Sequence, residues 1–544
     1  MPQTIPFSNV DAAWLQMEDP TNLMMITGIL LLDRPVDFAR LRQTLEYRLL
    51  PLSRFQMRVA KSRIPFQLPK WERDPHFSLD YHLQRIALPA PGNQATLQEL
   101  IGNFMSTGLD FSRPLWQFHL VENVGNGCAL LGRIHHTIGD GTALVAVMLS
   151  MMDFHPDMPL KPPPDKAKEE KPWNPLATLL NPTLSAWKNS QKMVNSVWSE
   201  SVEAMLNPDH ALELTGKAVK GAATLGRLLL MPPDPPTMFK GDLGVQKRAA
   251  WSATVPLRDV KAIGKVMDAK VNDVLLTAMT GGLRRYMIRR GDPVDSVTFR
   301  AAVPVNLRPM ERALELGNEF ALVFLPLPVG IEDPHDRLLT LKKRMDAIKD
   351  SPEAVITFGI LNLLGMSPQQ IADQIVALFG SKATAVMTNV PGPRMTLYLA
   401  GAAVDNMMFW VPQSGRLGLG VSIMSYDGKV TLGVATDAGL IPDPDAIITG
   451  FHEEFAALME MVQQAEAAPA APVDDNLAQT MAALSELEER LAQQEAAVRM
   501  EIAPITRCQG MTKAGQPCRN RPLTGSDYCR LHQPKNAAIT DGEA

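Results

Sequence analysis

The chain has 544 residues, a formal net charge of −5, 46% hydrophobic residues and 20% charged residues. That length exceeds what one hydrophobic core supports, so at least two packed units are expected, and a pI near 6.1 excludes a protein whose whole surface is built to bind nucleic acid. No uninterrupted apolar stretch of about 18 residues occurs, so no membrane span is expected. The start, MPQTIPFSNVDAAW, has neither a basic segment nor an apolar core, so no signal peptide is expected and a cytoplasmic protein is the default. The 30 methionines suit either an ordinary core or adaptable walls around an aliphatic ligand.

Residues 1–155 alternate strand-like and helix-like pieces and read as a first α/β unit. MMITGILLLD (24–33) is predicted to be a strand, and FARLRQTLEYRLLP (38–51) a helix that stops at Pro51. WQFHLVENV and CALLGRIHH flank Gly125, Asn126 and Gly127, a hairpin signal. Cys128 stands alone in that apolar run and reads as a buried structural thiol. HHTIGDG (135–141) follows the second strand, and GTALVAVMLSMMDF (141–154) is predicted to be a buried helix. Residues 156–245 read as linker and helical crossover. Pro162, Pro163 and Pro164 with a charge run mark the linker, and Trp173, Trp187 and Trp198 fall in the helical pattern. Lys217, Lys220 and Arg227 lie in a stretch without acidic residues, which fits either a basic amphipathic helix on a membrane or a helix packed between domains.

A second α/β unit is expected over 246–465, with SVTFRAAVPVNLRP (296–309), GSKATAVMTNVPGP (380–393), GRLGLGVSIMSYDGKVTLGVATD (415–437) and a helix over 444–464. SYDGKV places Asp-Gly between two strands, a strong hairpin signal. GRLGLGVS lacks a following helix, which argues against a dinucleotide loop. Residues 466–500 read as a linker and an amphipathic helix, with Leu477, Leu484, Leu491 and Val498 seven apart. That spacing fits a short coiled coil, hence self-association through 477–498, or a helix docked on its own chain.

The chemistry concentrates in HHTIGDG. A neutral imidazole accepts a proton near pH 7. Ester formation from a thioester and an alcohol needs such a base, a donor for the oxyanion and exclusion of water, but no protein nucleophile. From spacing alone, His135 and His136 also fit a satisfied pair at a strand end, His135, His136 and Asp140 a weak metal set, and Asp140 a helix cap.

HHTIGDG matches the HHxxxDG motif of the bacterial bifunctional wax ester synthase/acyl-CoA:diacylglycerol acyltransferases, members of the CoA-dependent acyltransferase superfamily. VDAAWLQMEDPTN (10–22), RPLWQFHLVE (113–122), VNDVLLTAMTGGLRRY (271–286), VPVNLRP (303–309), LGNEF (316–320) and TNVPGP (388–393) resemble further family blocks in the family's order. The resemblance implies two chloramphenicol acetyltransferase-like α/β subdomains with an interdomain substrate tunnel and His136 midway along it. It implies transfer of a long-chain acyl group from acyl-CoA to a fatty alcohol or diacylglycerol, without an acyl-enzyme and without a catalytic cofactor. By resemblance His136 is the general base, and His135 shapes the loop or the pocket. Asp140 points away from substrate and pairs with Arg308 of the second half. Gly139 and Gly141 give the loop its turn and let substrate approach. Asn272 positions substrate or the oxyanion, unless it is a plain helix cap, and Leu115 and Trp116 line or support the acyl pocket, unless they are core. Peripheral contact with the inner membrane or lipid inclusions follows from the lipidic substrates. The rival readings are an acyltransferase using a carrier-bound donor, and a non-catalytic lipid- or nucleic-acid-associated protein.

Residues 501–544 depart from that family. Cys508, Cys518, Cys529 and His532 form C-x9-C-x10-C-x2-H. Three thiolates and an imidazole are a natural tetrahedral zinc set, and so small a segment needs a metal to fold. It resembles small bacterial and phage zinc modules carrying TKxGxxC. A tail without metal is the alternative, and the basic surroundings leave its partner open.

Overall fold

A computed structural model describes residues 4–60, 67–162, 215–308, 312, 315–349, 351–413, 415–467, 486, 490 and, between 508 and 532, all but 512–515, 521 and 525. The chain enters through β1 (Thr4–Pro6) and α1 (Asn9–Gln16). Next come β2 (Met25–Leu32), α2 (Phe38–Thr44), β3 (Met57–Ala60), β4 (Lys70–Arg73), α3 (Leu79–His82), β5 (Leu83–Ala87), α4 (Gln94–Met105), β6 (Trp116–Val124), β7 (Gly127–His135) and α5 (Gly141–Ser150). After 214 follow α6 (Thr215–Leu230), β8 (Lys247–Trp251), β9 (Val255–Pro256), α7 (Leu257–Val266), α8 (Val271–Arg289), β10 (Phe299–Asn306), β11 (Phe320–Leu327), α9 (Pro334–Lys349), α10 (Glu353–Met366) and α11 (Gln369–Ser381). β12 (Ala385–Pro391), β13 (Tyr398–Leu399), β14 (Ala402–Trp410), β15 (Leu419–Tyr426), β16 (Lys429–Asp437) and α12 (Pro444–Ala467) complete the order.

Local chemistry explains most of these elements. Ser8 accepts the Asp11 N–H at 3.0 Å and caps α1, and Asn93 does the same for α4 through Thr96. The helix expected over 38–51 is regular only to Thr44, and Leu45–Leu49 continue it as a π-turn. β6 and β7 form the expected hairpin. β15 and β16 form the other, turning through Asp427 (φ 48°) and Gly428 (φ 73°), the left-handed pair that a tight two-residue hairpin requires.

The first sheet runs β13-β14-β2-β7-β6-β5 and the second β11-β10-β12-β15-β16-β8, with β9 beside β16; a small third sheet is β1-β4-β3. β7 is buried along its whole length between β2 and β6, which is why GCALLGRIH reads as a continuous apolar run and does not alternate. Its one charge, Arg133, is buried; it donates to the carbonyls of Phe104 and Thr107 at 3.0 and 2.7 Å and to Gln117 Oε1, while its Nε has no partner among the described residues. β14 comes from the second half of the chain yet pairs antiparallel with β2, Trp410 opposite Thr27 and Val404 opposite Leu32. The two halves therefore share a sheet, and Trp251, Leu397 and Trp410 join the first core. A second core forms where α7, α8 and α12 cover the other sheet.

Residues 1–465 pack as one unit and 466–544 as another. No helix among the described residues is long and apolar enough to cross a membrane. Residues 163–214, which hold most of the expected linker and the helical pattern with Trp173, Trp187 and Trp198, and the leucines and valine of 477–498 lie outside the described residues.

Candidate active site

His136 sits immediately after β7. Met25 pairs with His135 across β2 and β7, and the Met24 carbonyl accepts the His136 N–H at 2.8 Å, so the central sheet itself places the motif. The imidazole is buried and stacks on Trp14 of α1, ring centroids 3.9 Å apart and planes 11° from parallel. Its Nδ1 lies 2.8 Å from Asn318 Oδ1. Burial pushes the ring down to about 4, against the upward pull of Asn318 and of the backbone, so it is neutral at neutral pH. The ring of His135 is enclosed: Nδ1 takes the Thr137 N–H at 3.1 Å, and Nε2 faces Glu18 at 3.4 Å.

Asp140 does two jobs at once. Oδ1 accepts the Ala143 N–H at 2.9 Å and caps α5, while Oδ2 accepts the Glu319 N–H at 3.0 Å and lies 3.1 Å from Arg308. Burial raises its carboxyl from the usual value, against the pull of Arg308. Arg308 also donates to the Gly317 carbonyl at 2.7 Å, and the same carbonyl accepts the Asp140 N–H at 3.0 Å. Neither Gly139 nor Gly141 has a positive φ, so neither is required there by a left-handed backbone. Gly141 is the first residue of α5, and Gly139 serves close approach, since a Cβ there would stand 3.3 Å from that of Ala143.

Other expected residues fall elsewhere. Leu115 and Trp116 do not line the cavity described below. Both are fully buried in the first core, where the Leu115 carbonyl holds the His135 N–H at 2.9 Å and Trp116 Nε1 donates to the Phe55 carbonyl. Asn272 is not the cap of α8. Lys270 holds that position, with Asp273 accepting its N–H at 2.9 Å, and Asn272 Oδ1 accepts from Asn389 at 2.8 Å.

The sequence reading missed Trp14, Asp11, Arg54 and Asn318. Asp11 is completely buried on α1, accepts the backbone N–H and the side-chain amide of Asn318 at 3.1 and 2.8 Å, and pairs with Arg54 at 3.1 Å. Arg54 in turn holds the Thr137 and Ile138 carbonyls at 3.2 and 3.0 Å. An acidic residue on the apolar face of VDAAWL was the available signal.

Trp14 also borders an apolar cavity. Its walls include Met17, Leu322, Phe324, Leu361 and Val376, from α1, β11, α10 and α11. The histidine is thus linked, through one indole, to a space bounded by apolar side chains from both halves of the chain.

In the C-terminal unit, Cys508, Cys518, Cys529 and His532 present donor atoms that all lie within 4.8 Å of one another. Cys518 and Cys529 sulfurs are 3.8 Å apart, and His532 Nδ1 is 3.6 and 3.4 Å from Cys508 and Cys529. A tetrahedral zinc site with bonds near 2.3 Å to sulfur and 2.0 Å to nitrogen has edges of about 3.8 and 3.5 Å. Backbone N–H groups of Gly510 and Cys529 point at the Cys508 sulfur, at 3.3 and 3.1 Å. The cluster can bind a metal.

A family profile described as the wax ester synthase/diacylglycerol acyltransferase catalytic domain matches residues 7–275, and the family's C-terminal domain matches 316–459. A Mycobacterium tuberculosis protein named as a probable diacylglycerol O-acyltransferase, tgs1, is 27% identical over 460 residues, covering 83% of this chain and 95% of its own. The solved wax ester synthase/diacylglycerol acyltransferase from Marinobacter aquaeolei VT8 is similar in fold, with TM-score 0.59 and 21% identity over 84% of this chain and all of that one. The starter condensation domain of rhizomide synthetase gives 0.53 at 12% identity, over 85% of this chain and 94% of its own. The architecture is that of two chloramphenicol acetyltransferase-like subdomains, and the chain belongs to the wax ester synthase/diacylglycerol acyltransferase family and is an acyltransferase.

Proposed function

We propose that the protein transfers a long-chain acyl group from acyl-CoA to a fatty alcohol or diacylglycerol, giving a wax ester or a triacylglycerol. The observation that carries this reading is a buried, neutral imidazole stacked on the indole that borders an apolar cavity. His136 Nε2 takes the hydroxyl proton as that oxygen attacks the thioester carbonyl, and the tetrahedral intermediate expels CoA thiolate, which recovers the proton. The cavity takes the acyl or alkyl chain and forms part of a tunnel between the halves. Asp140 and Arg308 brace the loop, and Asn272, with Asn389, positions substrate. Met366 of α10 and Ile371 of α11 are exposed on the helices that wall the cavity, which supports peripheral contact with a lipid surface. The tail holds structural zinc on Cys508, Cys518, Cys529 and His532, outside the reaction.

The test offers labelled palmitoyl-CoA to the purified protein with hexadecanol and diolein in parallel. An ester is expected from wild type and none above background from His136→Ala; full activity in the variant, or no ester with either acceptor, overturns the reading.

A further inference from the structure

We infer that Asn318 is a positioning residue that holds His136 in a single tautomer, with the proton on Nδ1 and the lone pair on Nε2. The inference rests on the reading of His136 as the base and explains why that base is ready.

The orientation of the Asn318 amide follows from its neighbours. Its nitrogen lies 2.8 Å from the Asp11 carboxylate and 2.8 Å from the His136 carbonyl oxygen. Both groups accept and neither donates, so both amide hydrogens are used there. The amide oxygen therefore faces His136 Nδ1, at 2.8 Å. An amide oxygen cannot donate, so Nδ1 carries the hydrogen, and a neutral ring then keeps its lone pair on Nε2. Nε2 has no hydrogen-bond partner among the described residues and is free to take a proton.

Asp11 makes this lock firm. It is wholly buried on α1, takes the Asn318 backbone N–H at 3.1 Å as well as the side chain, and is neutralised by Arg54 at 3.1 Å. His135, the next residue, is held the opposite way. Thr137 donates its N–H to His135 Nδ1, which leaves the proton on Nε2 facing Glu18. Two adjacent histidines thus carry opposite tautomers, and the one fixed by Asn318 has the free basic nitrogen. The charged and titratable groups around the His136 ring are Asp11 with Arg54, His135 with Glu18, and Asp140 with Arg308 and Glu319. None of them partners Nδ1, and an amide there fixes the tautomer without adding a negative charge.

The full-length protein, labelled with 15N-histidine, tests this through two-bond 1H–15N correlations of the ring, the His136 signals being those lost in His136→Ala. Wild type is expected to show Nδ1–H, and Asn318→Ala to shift toward Nε2–H, the form favoured by free neutral imidazole. In the same variant kcat is expected to fall about 10²-fold, within the range a positioned base supplies, with KM for palmitoyl-CoA unchanged. Asp11→Asn, which lets the amide turn over, is expected to give a mixture of tautomers, and it carries the test should Asn318→Ala fail to fold. Adding Asn318→Asp to Asp11→Asn restores a pure acceptor at Nδ1; it is expected to recover Nδ1–H and to move the acid limb of the kcat/KM profile upward. Nε2–H in wild type, or Nδ1–H retained in both single variants, overturns the proposal whether or not an ester is formed. A protein that holds the tautomer but makes no ester overturns only the assignment of the reaction.

Discussion

Arg308 and Asp140 lie 3.1 Å apart with their side chains 3% exposed, so a guanidinium from the second half of the chain and a carboxylate of the histidine loop meet inside the protein. The carboxylate also caps α5 and takes the Glu319 N–H. One side chain therefore ties together the end of β7, the start of α5 and the segment that carries Asn318.

Removing that carboxylate leaves the buried guanidinium with Glu319, 3.4 Å away and more exposed, as its remaining counter-charge. Asp140→Ala is expected to cost about 3–5 kcal/mol, the range for breaking one partner of a buried pair, read from the urea unfolding midpoint. Acyl transfer should fall with it, because the Glu319 N–H and Arg308, which flank Asn318 in that segment, lose their side-chain anchor on the loop. A midpoint equal to that of wild type would show that the pair does not brace the loop.

The cavity should set chain length. Val376 on α11 lines it, so Val376→Trp fills space that a long chain would use. With the proposed assay, activity with palmitoyl-CoA is expected to drop at least tenfold relative to octanoyl-CoA, while Leu363→Trp on the exposed side of α10 should leave the ratio unchanged. Equal losses with both donors would move the chain site elsewhere.

The pH dependence follows from the buried ring. Burial holds His136 near 4, so the base stays neutral well below the ordinary histidine value of 6.5. The kcat/KM profile is expected to stay flat from pH 7 to about 5 and to fall as pH approaches 4. A limb centred at 6.5 would show that the reacting base is solvated.

Stability carries the same signature at His119, buried against Phe104 and near Arg133, and also lowered to about 4 by burial first and by the Arg133 charge second. Between 6.5 and 4 the unfolded chain binds this proton and the folded chain does not, so His119 favours unfolding increasingly as pH falls through that window. His119→Phe should therefore gain on wild type in urea unfolding from pH 6.5 down to 4, with a constant difference above 7. A difference independent of pH would refute the assignment.

Metal analysis of the full chain is expected to find about one zinc per molecule, and none after Cys518→Ser. Acyl transfer by the variant should be unchanged, since none of the four ligands belongs to the histidine site. Zinc content that survives the substitution would remove Cys518 from the site.

Local pattern along the chain was enough to read the two α/β halves, both hairpins, the buried strand before HHTIGDG and the C-x9-C-x10-C-x2-H set. Each rests on local periodicity or on spacing along the chain, and the Asp427-Gly428 turn needs nothing but its own two residues. Ordered motifs also gave the family. The rest needed the assembled chain. β14 joins the first sheet because its partner β2 lies far off in sequence, a pairing that periodicity cannot name. Leu115 and Trp116 went to the core because burial follows from what packs around an apolar residue, which its type alone does not specify. Asp11, Trp14 and Asn318 surround His136 from two distant segments. Their chemistry is visible only once α1 and the segment after Arg308 meet at the end of β7, where an acceptor that cannot donate fixes which way an amide must face.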